Sequence, residues 1–168
     1  IIPTDTLYGL VGKTNDKKVV EKIYKLKKRR KNKSCIILIS NQNELGKFGV
    51  KINKKTKEIL NLVWPGPVSV ILPCGNKTLA FRLPRSKKLL AILNQTGPLI
   101  APSANPEGLS PAKNIKEAKR YFGNKVDAYL AGGTRTGKAS TLIRIVTDKI
   151  EVKRPGKLPR TVLHYLAL

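Results

Sequence analysis

The chain has no methionine, one histidine, two cysteines, ten acidic residues and 5% aromatics among its 168 residues. Each scarcity excludes something. Two cysteines cannot make a disulfide scaffold, and with the single His164 they cannot complete a structural zinc set of four ligands. A Cys–His or Ser–His–Asp nucleophile is disfavoured, because His164 lies close to the end of the sequence. The acidic residues are scattered, and no pair suggests a two-metal hydrolase or a glycosidase. No apolar run approaches the roughly 20 residues that span a bilayer, and no secretory-leader pattern is visible. Cys35 lies in an apolar run and Cys74 follows an expected strand, so a reducing cytoplasm is the expected compartment. The few aromatics are not interleaved with basic residues, which argues against a stacking platform for single-stranded nucleic acid.

What is present is positive charge. Lysine and arginine number 34 against ten acids, a formal net charge of +24. Such a chain attracts nucleotides, RNA and acidic surfaces. Lysine dominates, and isoleucine and asparagine are plentiful, a bias that an AT-rich genome also produces. The run from Lys25 to Lys33 stands apart, because it joins an expected helix to an expected strand.

The length fits one domain, expected over residues 1–168 with an earlier element preceding the strand-like Ile1-Ile2-Pro3. Helices and strands alternate, which predicts an α/β sheet with helical cover. Asn15 or Asp16 caps a helix whose apolar residues Val19, Val20, Ile23 and Tyr24 recur at helical spacing. Cys35–Ile39 reads as a buried strand. Ile59, Leu60, Leu62 and Val63 suit the inner face of a second helix, stopped by Pro65-Gly66-Pro67. Strands are expected at Val68–Leu72, Leu79–Leu83, Leu99–Ala101, Val126–Leu130, Thr141–Val146 and Ile150–Lys153. Further helices are expected at Leu89–Leu93, closed near Gly97, and over residues 113–122.

Four loops could carry chemistry, and each also has a plain structural reading. Thr4, Thr6 and Tyr8 offer hydroxyls around Gly9, or form only a capped turn. Lys27 and Arg29 at i, i+2 on an extended segment would share a face and suit a polyphosphate, or belong to a solvated basic run. Ser103 and Asn105, between Pro102 and Pro106, put a hydroxyl and an amide on one side of a stiff loop, or form an Asx-turn. Gly132-Gly133 through Ser140-Thr141, with Arg154-Pro155-Gly156 downstream, permits close backbone approach and an anion contact, or makes two surface turns. Gly133 to Lys138 lacks the spacing of a Walker A loop, and no G-x-G-x-x-G follows a strand.

In order, "PTDTLYGL", "IYKLKKRR", "WPGPVSVILP", "FRLP", "APSANPEG", "STLIRI" and "KRPG" resemble the YrdC-like threonylcarbamoyl-AMP synthases, in their short single-domain form. The resemblance runs from Pro3 to about Gly156. It implies a twisted mixed α/β sheet with helices on its faces around a basic concave cleft. It implies condensation of L-threonine, bicarbonate or CO2 and ATP into threonylcarbamoyl-AMP and pyrophosphate. A downstream transferase would then pass the group to tRNA. Carried over by motif, Lys27, Arg29, Ser103 and Asn105 would be catalytic. Arg29, Lys33, Thr78, Asn105 and Arg154 would contact ATP. Thr6, Arg82, Ser103 and Ser140 would contact threonine. No protein metal site is implied, since Mg2+ would arrive on the ATP phosphates.

Departures from the family pattern are Lys28 in place of a glycine, Lys33 in place of a polar residue, Ser34-Cys35 in place of Pro-Leu, Glu107-Gly108 in place of Ser-Gly, Lys113 in place of a threonine and Arg144 in place of an Asp. Residues past Gly156 match nothing recognisable. The rival readings are a non-catalytic RNA-binding module of the same fold and a degenerate member that binds nucleotide without turnover. A carbamoyl-adenylate domain from hydrogenase maturation is a further rival, although that protein is much longer.

Overall fold

A computed structural model describes residues 1–30, 33–146 and 149–158. Two short strands, β1 (Ile2–Pro3) and β2 (Tyr8–Gly9), pair with each other. They lead into β3 (Gly12–Lys13) and α1 (Lys17–Lys27). After β4 (Ile36–Leu38) come a 3-10 helix (Gln42–Phe48), α2 (Lys54–Val63), β5 (Val68–Cys74) and β6 (Lys77–Arg82). The order continues with α3 (Lys87–Thr96), β7 (Leu99–Ile100), α4 (Ile115–Phe122), β8 (Thr141–Val146) and β9 (Lys149–Arg154).

Local chemistry sets these boundaries. A short polar side chain caps each α-helix: Asp16 accepts from the Val19 N–H, Asn53 from Thr56, Ser86 from Leu89 and Asn114 from Glu117. Gly97 closes α3 with φ 75°. The last residue of α1, Lys27, is followed by Lys28 in the left-handed region at φ 50°. That conformation is ordinarily left to glycine. At Gly12 an added Cβ would collide with Val19 Cγ1 and sit 3.0 Å from Ile23 Cδ1. Helix α1 therefore lies directly on β3.

The seven-stranded sheet runs β3-β7-β4-β6-β5-β8-β9 and is mixed, with β4–β6 and β5–β8 parallel and the other pairs antiparallel. Register divides its two faces. Ile37, Phe81, Val70 and Ile143 align across four strands and pack against Leu60, Val63 and Trp64. The residues between them fall on the opposite face, where Leu38 and Leu99 pack under Leu89 and Leu93 of α3. Next to that patch, Ile36, Ala80, Arg82 and Leu142 floor a cavity. The core on one face thus fixes the register, and the register aims Arg82 into the cavity from the other.

Three sequence expectations are corrected. Val126–Leu130 is no strand. Among the described residues its backbone meets Ile1, through the Ile1 ammonium to Ala128 O at 2.6 Å and the Leu130 N–H to Ile1 O at 2.9 Å, too few bonds for a ladder. Leu62 is 43% exposed on the outer side of α2. Cys74 ends β5 rather than following it. The 3-10 helix was not foreseen, and His164 lies outside the described residues.

Candidate functional site

The cavity measures about 270 Å³ and opens between the β1–β2 turn, the C-terminal end of α1, the loop after β7 and the β8–β9 pair. It is slightly smaller than a typical ligand pocket of roughly 300–1,000 Å³. It takes a small polar molecule inside and leaves a larger one extending from its mouth. Thr6, Lys27, Arg29, Arg82, Ser103, Ser140 and Arg154 all line it.

At the inner end, Arg82 is 5% exposed on β6. Its guanidinium donates to Thr6 Oγ1 at 3.0 Å and forms an ion pair with Asp5 at 3.0 Å. The ion pair lies off the hydrogen-bonding direction: both Asp5 oxygens and the Arg82 Nε are buried without a hydrogen-bond partner. Burial pulls the Arg82 pKa down, and the Asp5 charge opposes that pull. Thr6 is held by Thr4, whose hydroxyl lies 3.2 Å from the Thr6 hydroxyl and donates to Leu7 O. Ser140 shares a buried 2.9 Å hydrogen bond with Ser69 of β5 and is also bonded by Arg154, which donates to its carbonyl at 2.8 Å and its hydroxyl at 3.2 Å.

At the centre, Lys27 is 3% exposed. Its ammonium donates to Ser103 O at 2.7 Å, Asn105 Oδ1 at 3.0 Å and, more weakly, Ser103 Oγ at 3.5 Å. Burial, and then the charge of Arg29, lower its pKa to about 8. Ser103 also donates to Asn105 Oδ1 at 2.6 Å, and the Asn105 amide donates to the carbonyls of Pro106 and Leu109. Asn105 therefore sits behind Ser103 and does not line the cavity. Lys27 and Arg29 do reach the same cavity, but not as neighbours on an extended segment. A helix end followed by the left-handed Lys28 places them.

The outer rim is looser. Arg29 donates to the backbone carbonyls of Lys33 at 3.0 Å and Ser34 at 3.1 Å. Lys33 pairs with Glu107 at 2.6 Å, outside the cavity lining. Thr78 is exposed and also outside it, on the same face of β6 as Ala80 and Arg82 and further from the pocket. Tyr8 lines the cavity, and its hydroxyl is engaged by the diglycine loop, accepting from the Gly132 N–H at 2.9 Å and donating to Gly133 O at 2.8 Å. It thereby pins the diglycine loop, where a Cβ on Gly132 would collide with Pro3. Asp5, Ser69 and Cys35 were missed as site residues. Asp5 was legible in the "PTDT" motif, whereas nothing local marked Ser69. Among the described residues no group of three or more His, Cys, Asp or Glu could hold a metal, and no helix is long and apolar enough to cross a membrane.

Comparison with known proteins gives the family and the fold. The Sua5/YciO/YrdC family profile, described as "Telomere recombination", matches residues 1–156. A threonylcarbamoyl-AMP synthase of Bacillus subtilis is 31% identical over 171 residues, covering 94% of this chain and 49% of its own length. A putative threonylcarbamoyl-AMP synthase of Methanocaldococcus jannaschii is 31% identical, covering 95% of this chain and 80% of its own. The chain thus spans about half the length of the Bacillus relative. Among solved structures, Pyrococcus abyssi Sua5 complexed with L-threonine superposes with a TM-score of 0.88 at 28% identity, covering 98% of this chain and 52% of its own. Escherichia coli YciO superposes at 0.85 with 23% identity, covering 98% and 84%, a likeness of fold.

Proposed function

The chain belongs to the Sua5/YciO/YrdC family, and from that premise we propose that it is an L-threonylcarbamoyladenylate synthase. The observation that carries this reading is the Arg82 guanidinium at the bottom of the cavity. It is buried, bonded to Thr6 and left with an unpartnered Nε, while three further cationic side chains line the same cavity. A small zwitterion fits the inner end with its carboxylate on Arg82 and its hydroxyl among Thr6, Ser103 and Ser140. A polyphosphate fits the rim, at Arg29, Lys33 and Arg154, with Thr78 further along the same face.

The chemistry follows from charge and position. The threonine amine captures CO2, losing a proton to give a carbamate. A carbamate oxygen attacks the α-phosphorus of ATP, and the bond to the β-phosphate oxygen breaks to release pyrophosphate. Both reactants are anions, so the task is to bring them together in line and hold the developing charge. Lys27, Arg29 and Arg154 supply that charge. Asn105 acts from behind by fixing Ser103 and the Lys27 ammonium. Asp5 is paired with Arg82 and Glu107 with Lys33. Magnesium would come bound to the triphosphate. A transferase and tRNA would consume the product.

The test is a reaction of the protein with ATP, Mg2+, labelled L-threonine and bicarbonate, read as pyrophosphate and labelled adenylate. We expect product that requires both threonine and bicarbonate and falls at least a hundredfold in Ser103→Ala. ATP binding without product would instead identify a nucleotide-binding member that does not turn over. Salt-sensitive RNA binding without ATP binding would identify an RNA module.

A further inference from the structure

Two departures from the family pattern, Lys33 and Glu107, meet each other in space. The Glu107 carboxylate accepts from the Lys33 ammonium at 2.6 Å, with the Arg29 charge and the Arg30 backbone close by. All three hold its pKa below the ordinary carboxylate value. The pair sits at the rim of the cavity. Arg29 and Ser34, on either side of Lys33 in sequence, line the cavity, and the Glu107 N–H donates to Lys27 O at 2.6 Å. An ammonium facing an anionic group, with a guanidinium nearby, offers the charge of a phosphate site. Here a carboxylate of the chain itself occupies it.

We propose that Glu107 is a resident counter-anion which the terminal phosphates of a nucleoside triphosphate displace from Lys33, so that Glu107 sets the affinity for nucleotide. The inference rests on the nucleotide reading above. The side chains of Lys33 and Glu107 are 55% and 30% exposed, and an exposed pair contributes little. A triphosphate presents several negative charges to the same ammonium and also reaches Arg29 and Arg154, so exchange favours the ligand. The device is an intramolecular competitor: it keeps the rim closed on itself and lowers affinity by the strength of one weak ion pair.

The experiment is calorimetric titration of wild type, Glu107→Gln, Lys33→Gln and the double variant, with MgATP and separately with tripolyphosphate, at fixed ionic strength. Circular-dichroism melts confirm that each variant is folded. Glu107→Gln is expected to tighten both ligands about threefold to fivefold, the size of an exposed ion pair. Lys33→Gln weakens both, and Glu107→Gln then gives less than a twofold gain. An equal gain in both backgrounds overturns the proposal in favour of a diffuse charge effect. No change also overturns it. So does weakening confined to MgATP, which would make Glu107 a metal ligand. If wild type binds tripolyphosphate with the expected pattern but not ATP, the exchange stands and the synthase reading fails. If it binds neither, both fail.

Discussion

The two ends of the cavity are built differently. At the inner end Arg82, Thr6 and Ser140 are all buried, and the Arg82 charge already has a counter-charge in Asp5. At the outer end Arg29 bonds to backbone carbonyls of its own loop, Lys33 is paired at the surface and Thr78 is exposed. The inner end is a preformed recess for a small ligand whose shape is known in advance. The outer end is a set of movable charges, suited to a flexible polyphosphate. Precision is needed where few atoms decide identity, and charge suffices where the ligand is mostly charge.

The contrast predicts opposite consequences for substitutions at the two ends. The largest effect is expected at Arg82. Arg82→Ala leaves Asp5 half-buried and uncompensated, at a cost of about 3–5 kcal/mol, and abolishes threonine binding. Urea unfolding and threonine calorimetry check this. An unchanged unfolding midpoint would show that the inner end is not preformed in the way described.

Lys27 gives a pH signature of similar size. Its pKa of about 8 in the folded chain lies below the 10.5 of an ordinary lysine. Between those values the unfolded chain binds more protons, so stability rises with pH there. Unfolding at pH 7.5, 9 and 10 is expected to show wild type gaining up to about 3 kcal/mol relative to Lys27→Met. A flat difference would show that the ammonium carries no burial penalty.

At the outer end, Arg29→Ala is expected to weaken ATP binding about tenfold, the worth of one charged contact. Its unfolding midpoint should stay within about 0.5 kcal/mol of wild type. Steeper loss of ATP than of threonine affinity with added salt would sharpen the same division. The smallest effect is expected at Lys28, where Lys28→Gly relieves the left-handed conformation and stabilises the fold by about 0.5–1 kcal/mol. Chemical denaturation of this single variant measures it.

The outer end was the more legible in the sequence, because charge is visible as composition. The inner end was legible only in part. Arg82 is the one cation in the apolar stretch Leu79–Leu83, and the sheet register aims it inward. Ser69 carried no local signal: it matters because the parallel β5–β8 pairing brings it beside Ser140, 71 positions away. The strand expected at Val126–Leu130 failed for a related reason. Its apolar pattern was adequate, but ladder formation depends on a partner of sufficient length, which local sequence does not report. Helix positions were read well wherever an apolar stripe was present. Their starts became clear only through the capping side chains, and the 3-10 helix has too few turns to set up a period.

The contact at Gly12 has a mechanical consequence. Helix α1 bears on β3 at Val19 and delivers Lys27 at its far end, eight residues on, or about 12 Å along the axis at 1.5 Å per residue. A stiff rod resting on a fulcrum near one end converts a small displacement there into a larger one at the other. Adding one methyl group at Gly12 would lift the rod where it rests and swing the ammonium away from Ser103 and Asn105, although no residue of the cavity had changed. The reach of the site therefore extends to a glycine that touches no ligand, and an inventory of lining residues would judge such a variant intact.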